Sequence, residues 1–170
     1  MAPPKDTDPN EPVTSIITPS RVEYVYTPGE APTRFLRNLE KGKLIGQQCP
    51  KCEMVYVPVR GGCARCGVPM TKDVEVKDTG TLVTYSIIRV PSSNIDLELP
   101  FVGGQVLLDG AHIAFHCLIR NVDVEDVRMG MRVKAVWKPE SEWTTSFENI
   151  QYFEPLDEPD VPAEAYKDLF

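Results

Sequence analysis

The sequence predicts a mainly β protein in which a short N-terminal helix leads into a rubredoxin-like zinc ribbon and then a five-stranded OB-fold barrel. Two observations carry this reading. Cys49-Pro-Lys-Cys52 and Cys63-Ala-Arg-Cys66 form two CxxC pairs ten residues apart, the spacing with which two tight turns place four sulfurs about one tetrahedral metal. From Gly80 onward the chain breaks into short β-branched runs of period two, separated by Pro, Gly, Asn and Asp.

Residues 1–32 hold seven prolines and few large apolar groups, too little burial to repay the entropy of ordering as a separate unit. They read as an extended arm. Within it Val22, Tyr24 and Tyr26 fall on one side of an extended strand, a pattern suited to docking either on this chain or on a partner.

Residues 33–78 read as helix plus ribbon. Thr33 is placed to cap a helix in which Phe35, Leu36 and Leu39 form an apolar stripe, and Gly42 supplies a left-handed stop. Two or three turns do not stand alone in water, so the stripe is expected to lie on the ribbon that follows. Four thiolate ligands close the metal's coordination, which predicts a structural site with no open position for water or substrate. Disulfides fit the tandem knuckle spacing poorly, and iron uses the same ligand set as zinc. Cys117 falls on the apolar face of a later strand, where a free thiol behaves as a small core side chain.

Residues 79–153 read as the barrel, with strands over 81–90, 101–108, 111–119, 131–138 and 147–153. Asp109-Gly110 marks a tight hairpin, and the long connection from Asn121 to Gly130 can cross one end of a Greek-key barrel. His112 and His116, both on the 111–119 strand, would lie about 13 Å apart on one face, too far to share a metal. Adjacent glycines at 103 and 104 predict a bulge or a close backbone approach. Residues 154–170 hold six acids, one lysine and three prolines. They read as an uncovered acidic tail in which Tyr166, Leu169 and Phe170 are available for a partner.

The formal charge of −7 argues against a nucleic-acid or anionic-lipid binder taken as a whole. Residues 34–72 depart from that balance, with eight Lys or Arg against two acids. The barrel segment has the opposite bias, six basic against nine acidic residues, so the basic groove required by a single-stranded nucleic-acid binder, the alternative function for a ribbon with an OB barrel, is missing there. The first residues show neither a basic nor an apolar leader pattern and no run reaches the ~18 apolar residues of a membrane helix, so a cytoplasmic location is expected. No Walker loop, nucleophile elbow, HExxH or dinucleotide fingerprint occurs in the sequence, and no catalytic residue is assigned.

In this order, FLRNLEKGKLIGQQC, CPKC…CARC, GTLVTYSIIRVP, LPFVGGQVLLDG and EDVRMGMRV resemble the acyl-CoA-associated OB-fold family with an N-terminal rubredoxin-like zinc ribbon, the domain of unknown function 35. The resemblance covers about residues 33–153. It implies a non-catalytic subunit that binds and stabilises a thiolase-superfamily enzyme, a thiolase or a lipid-transfer-protein-like aldolase, in a hetero-oligomer around an enzyme dimer. It further implies a share in the acyl-CoA channel and, within the family, retro-aldol cleavage in steroid side-chain degradation ahead of thiolysis. The phosphates of CoA need positioning donors, for which the local basic excess offers Arg34, Arg37, Lys41, Lys43, Arg60 and Arg65. Tyr24, Tyr26, Pro100, Phe101, Gly103 and Gly104 are the residues expected to face the partner.

Overall fold

The protein is described by a computed structural model over residues 12, 22–92 and 95–169; most of the arm, Phe170 and the Leu169 side chain fall outside that range. The helix, α1 (Glu30–Leu39), begins one turn before the expected cap. Pro32 ends up inside the first turn, which it tolerates because an N–H there has no intrahelical acceptor to lose. Thr33 is therefore not the cap: its N–H and its hydroxyl both donate back to the Gly29 carbonyl. Phe35 and Leu39 are buried and Leu36 packs beside them. The stop falls where expected, with Gly42 at φ 69° and the N–H groups of Lys41 and Lys43 both donating to the Asn38 carbonyl.

Next comes an antiparallel sheet of three short strands, β1 (Ile45–Gln48), β2 (Val55–Tyr56) and β3 (Lys72–Glu75), in the order β2-β1-β3. Five further strands close a barrel: β4 (Thr79–Ile88), β5 (Phe101–Leu108), β6 (Phe115–Ile119), β7 (Arg132–Trp137) and β8 (Ile150–Pro155), ordered β4-β5-β6-β8-β7. The parallel contact of β6 with β8, at Ile119 and Phe153, closes an otherwise antiparallel ladder, which is the OB arrangement. Alternation on β5 sends Val102, Gly104, Val106 and Leu108 inward. They meet Leu82, Val133 and Phe153 in a cluster that also takes in Val55, Val57 and Val59 of the ribbon and Phe35 and Leu39 of the helix. Ribbon and barrel thus share one hydrophobic core.

Three expectations are corrected. Residues 111–114 are not strand: the chain turns out of the barrel there, and β6 begins only at Phe115. Register irregularities fall at Val83, between the pairs of Leu82 and Thr84, and between Val136 and Trp137, while Gly103 and Gly104 keep an unbroken register with Ser86 and Tyr85. A β-carbon on Gly104 would meet Leu82 at 2.6 Å and Ile119 at 3.0 Å, so this glycine answers to packing inside the barrel. Finally, the acidic tail is not uncovered. Arg128 pairs with Asp160 and Arg132 with Glu158, the Val161 N–H donates to the Gly130 carbonyl, and Tyr166 is 5% exposed. Its charge finds cations on its own barrel, and composition alone does not reveal them.

Gly130 is the point the tail closes over. It has φ 90°, and a β-carbon there would lie 2.5 Å from the Val161 carbonyl oxygen. Gly130→Ala is therefore expected to cost about 2–3 kcal/mol and to detach the tail. Limited proteolysis should show new cuts after residue 156 in the variant, whereas an unchanged cleavage pattern and melting temperature would contradict the close contact.

Candidate metal centre

Two tight turns build the cysteine site. In the first, Glu53 N–H donates to the Cys49 carbonyl and Cys49 N–H to Met54; in the second, Gly67 N–H donates to Cys63 and Cys63 N–H to Val68. Glu53 and Gly67 occupy the same place after each CxxC and both are left-handed, at φ 61° and 64°. The knuckles are thus two copies of one conformation. They bring the sulfurs of Cys49, Cys52, Cys63 and Cys66 within 4.8 Å of one another. Cys52 and Cys63 are 3.7 Å apart, close to the ~3.8 Å edge of a tetrahedron with 2.3 Å zinc–sulfur bonds.

Backbone N–H groups of Lys51 and Cys66 donate to the sulfurs of Cys49 and Cys63 at 3.4 Å each. Burial resists ionisation of Cys63, but the Tyr56 hydroxyl and the surrounding N–H donors outweigh it and hold this thiol at about 6. Cys66 is pushed up to about 12 by the Cys52 side chain and by burial. Four sulfurs this close cannot all carry charge without a cation among them; a divalent metal that prefers tetrahedral sulfur meets that need. The donor set fits structural zinc.

The other residues singled out by sequence separate into groups. Arg34 is tied to Asp73 on β3 at 2.6 Å, and Lys43 to Glu75 at 3.6 Å. Arg37, Lys41, Arg60 and Arg65 are exposed and form no ion pair among the described residues. Arg34 and Arg60 line one cleft of about 460 Å³, floored by Gln47 and Met70. Tyr24 and Tyr26 are 74% and 70% exposed with ring centroids 5.9 Å apart, and Phe101 opens β5 directly after Pro100. Cys117 is partly buried, and burial pushes its thiol up to about 12, in keeping with an inert packing role.

Residues outside the motifs join this assembly. His112 N–H donates to the Val55 carbonyl at 2.9 Å, and Val55 N–H donates to His112 Nδ1 at 3.0 Å. The barrel's hairpin turn thereby extends the two-residue strand β2. His116 instead contacts Gln105 at 3.1 Å, so the two histidines serve different neighbours. Tyr56, 2% exposed, places its hydroxyl 3.6 Å from Cys63 Sγ. Its β-prone neighbourhood was evident, but nothing local marked it as a partner of the metal ligands.

Fold and site together define a structural zinc ribbon joined to an OB barrel. Residues 39–71 match the family description "ChsH2, rubredoxin-like zinc ribbon domain", and residues 73–138 match "ChsH2, C-terminal OB-fold domain". A DUF35 domain-containing scaffold protein of Methanocaldococcus jannaschii is 32% identical over 101 residues, covering 58% of this chain and 70% of the relative. A second DUF35 scaffold protein, from Pyrococcus furiosus, is 27% identical over 105 residues, 61% of this chain and 76% of the relative. The chain belongs to the DUF35 family. Two solved structures share the fold: a DUF35 protein of unknown function from Sulfolobus solfataricus (TM-score 0.56, 23% identity, 75% of this chain and 84% of that one) and the Ltp2-ChsH2(DUF35) aldolase (TM-score 0.54, 21% identity, 72% and 91%).

Proposed function

We propose that this chain is a non-catalytic accessory subunit that binds and stabilises a thiolase-superfamily enzyme acting on acyl-CoA thioesters. The observation that carries the reading is the similarity to DUF35 scaffold proteins over 101 and 105 residues. A closed four-thiolate centre suits it, because such a metal holds structure without offering a site for chemistry. Within this reading the complex performs retro-aldol cleavage of a β-hydroxyacyl-CoA in steroid side-chain degradation, and the fold shared with the Ltp2-ChsH2(DUF35) aldolase supports that preference. Tyr24, Tyr26, Pro100, Phe101 and Gly103 face the partner.

Native co-purification from the source cell tests the assembly. Recovery of a thiolase-fold protein at near-equal stoichiometry supports the proposal, and recovery of the chain alone or with single-stranded nucleic acid overturns it. In the same reading Arg37, Lys41, Arg60 and Arg65 contact the phosphates of CoA, since these four of the six candidates form no ion pair among the described residues. Arg60→Ala with Arg65→Ala should raise the KM of the complex for CoA thioesters about three- to tenfold with little change in kcat, the loss of roughly one charge-assisted contact. Weakened assembly at unchanged KM would reassign these arginines to protein–protein contact.

A further inference from the structure

Tyr56 is not a metal ligand, yet its hydroxyl is enclosed against one. A buried phenol needs a hydrogen-bond partner; the acceptor found is Cys63 Sγ at 3.6 Å, while backbone N–H groups of Arg65 and Ala64 approach the hydroxyl oxygen. A metal-bound thiolate has lone pairs and no hydrogen, so the O–H donates and the sulfur accepts. The two knuckles are otherwise matched: each first cysteine receives one backbone N–H, from Lys51 or from Cys66, at 3.4 Å. The tyrosine adds a further donor to the second knuckle. Phenylalanine would fill the same space, so packing accounts for the ring and leaves the hydroxyl to be explained. Arg60 then bears on the ring from outside, its guanidinium carbon 6.0 Å from the centroid, at the edge of cation–π reach. A cation over the ring draws electron density from the phenol and strengthens its O–H as a donor.

We propose that Tyr56 is an outer-sphere positioning residue of the zinc centre, donating to the Cys63 sulfur, with Arg60 polarising that donor through the ring. The hydrogen bond removes negative charge from a centre that carries two net charges when four thiolates hold one divalent ion, and so slows departure of Cys63 from the metal. Cys49 and Cys63 are 0% and 2% exposed while Cys52 and Cys66 are partly open. Opening of the site therefore begins at Cys52 or Cys66. The inference stands independently of the accessory-subunit reading.

The test uses the full-length protein with cobalt(II) in place of zinc. In Tyr56→Phe the sulfur-to-cobalt charge-transfer band should move to lower energy, and metal loss to excess chelator should quicken about tenfold, in line with removal of an outer-shell partner. Arg60→Ala should shift both in the same direction by less, and should add nothing in the Tyr56→Phe background. A merely structural tyrosine would alter the melting temperature and leave the band in place, so an unmoved band with unchanged metal release overturns the proposal. Additive effects of the two substitutions overturn the part assigned to Arg60. In the unsubstituted zinc protein, N-ethylmaleimide should modify Cys52 and Cys66 before Cys63; modification of Cys63 first contradicts the order of opening whatever the variants do.

Discussion

Removal of the metal, by a strong chelator or by Cys63→Ser, is expected to unfold residues 45–75 while the barrel from 79 to 155 stays folded with a lowered melting temperature. Away from the core it shares with the barrel, the ribbon has little else to hold its knuckles. Its β2 strand is two residues long and pairs with β1 at two positions, and the cluster around the sulfurs consists of Cys49, Tyr56, Cys63 and Met70 with a few partly buried neighbours. Structural zinc contributes about 10–16 kcal/mol of apparent free energy in small peptides at neutral pH, as much as the whole stability of an ordinary domain at about 5–15 kcal/mol. The barrel is a closed ladder with its own apolar interior and does not depend on the metal for closure. It will still feel the loss, because Val55, Val57 and Val59 are part of the core it shares with the ribbon. Limited proteolysis read by mass spectrometry should show cuts confined to the ribbon. Because the ligands bind as thiolates, acid should produce the same pattern as protons displace the metal. A chelated protein with the protection pattern and melting temperature of the metal-bound form would refute this.

The ribbon and barrel were legible because their signals are local. A CxxC turn fixes its own geometry, and period-two alternation tells which side of a strand is buried; the 101–108 strand and the five-strand count of the barrel follow from these. What stayed hidden is tertiary. Thr33 reads as the helix cap although α1 begins at Glu30 with Pro32 in its first turn, and the alternation of Ala111, Ile113 and Phe115 mimics a strand although His112 turns toward Val55. The acidic tail looks solvated because the pairing of Asp160 and Glu158 with Arg128 and Arg132 spans more than twenty residues of chain. Charge excess identified a basic stretch, but only the structure shows that Arg34 and Lys43 are spent on β3 while Arg37, Lys41, Arg60 and Arg65 form no such pair among the described residues. Tyr56 and Asn149 carried no motif: the contact of Tyr56 with Cys63 depends on how the two knuckles fold together, and Asn149 reaches Leu39 across 110 residues of chain.

Asn149→Asp is expected to destabilise the protein by more than about 3 kcal/mol at pH 7, through loss of a buried amide that joins helix to barrel. Asn149 is 1% exposed. Its Oδ1 accepts from the Thr144 N–H at 3.0 Å, and its Nδ2 donates to the carbonyls of Thr144 at 2.7 Å and of Leu39, the last residue of α1, at 3.1 Å. The substitution keeps the shape but turns that nitrogen into an acceptor facing two carbonyl oxygens, and puts a charge where water does not reach. Both effects favour the neutral acid, so the new carboxyl titrates higher in the folded state than the ~3.9 of an unfolded aspartate. The sign follows by linkage: a raised folded value means stability is lost as pH rises above the unfolded value, so the deficit against the parent protein should shrink between pH 7 and pH 4.5. Urea denaturation at the two pH values measures it, and a deficit below 1 kcal/mol at pH 7, or one indifferent to pH, would be incompatible with the buried contact. The consequence reaches the basic surface proposed to contact CoA, because α1 carries Arg37, Lys41 lies in the turn directly after it, and the helix is pinned at its C-terminal end by this amide and by Trp143 packing against Gly42. A variant that loosens the helix without unfolding the barrel should therefore weaken the basic surface as a whole, whereas Arg60→Ala alters one position of it.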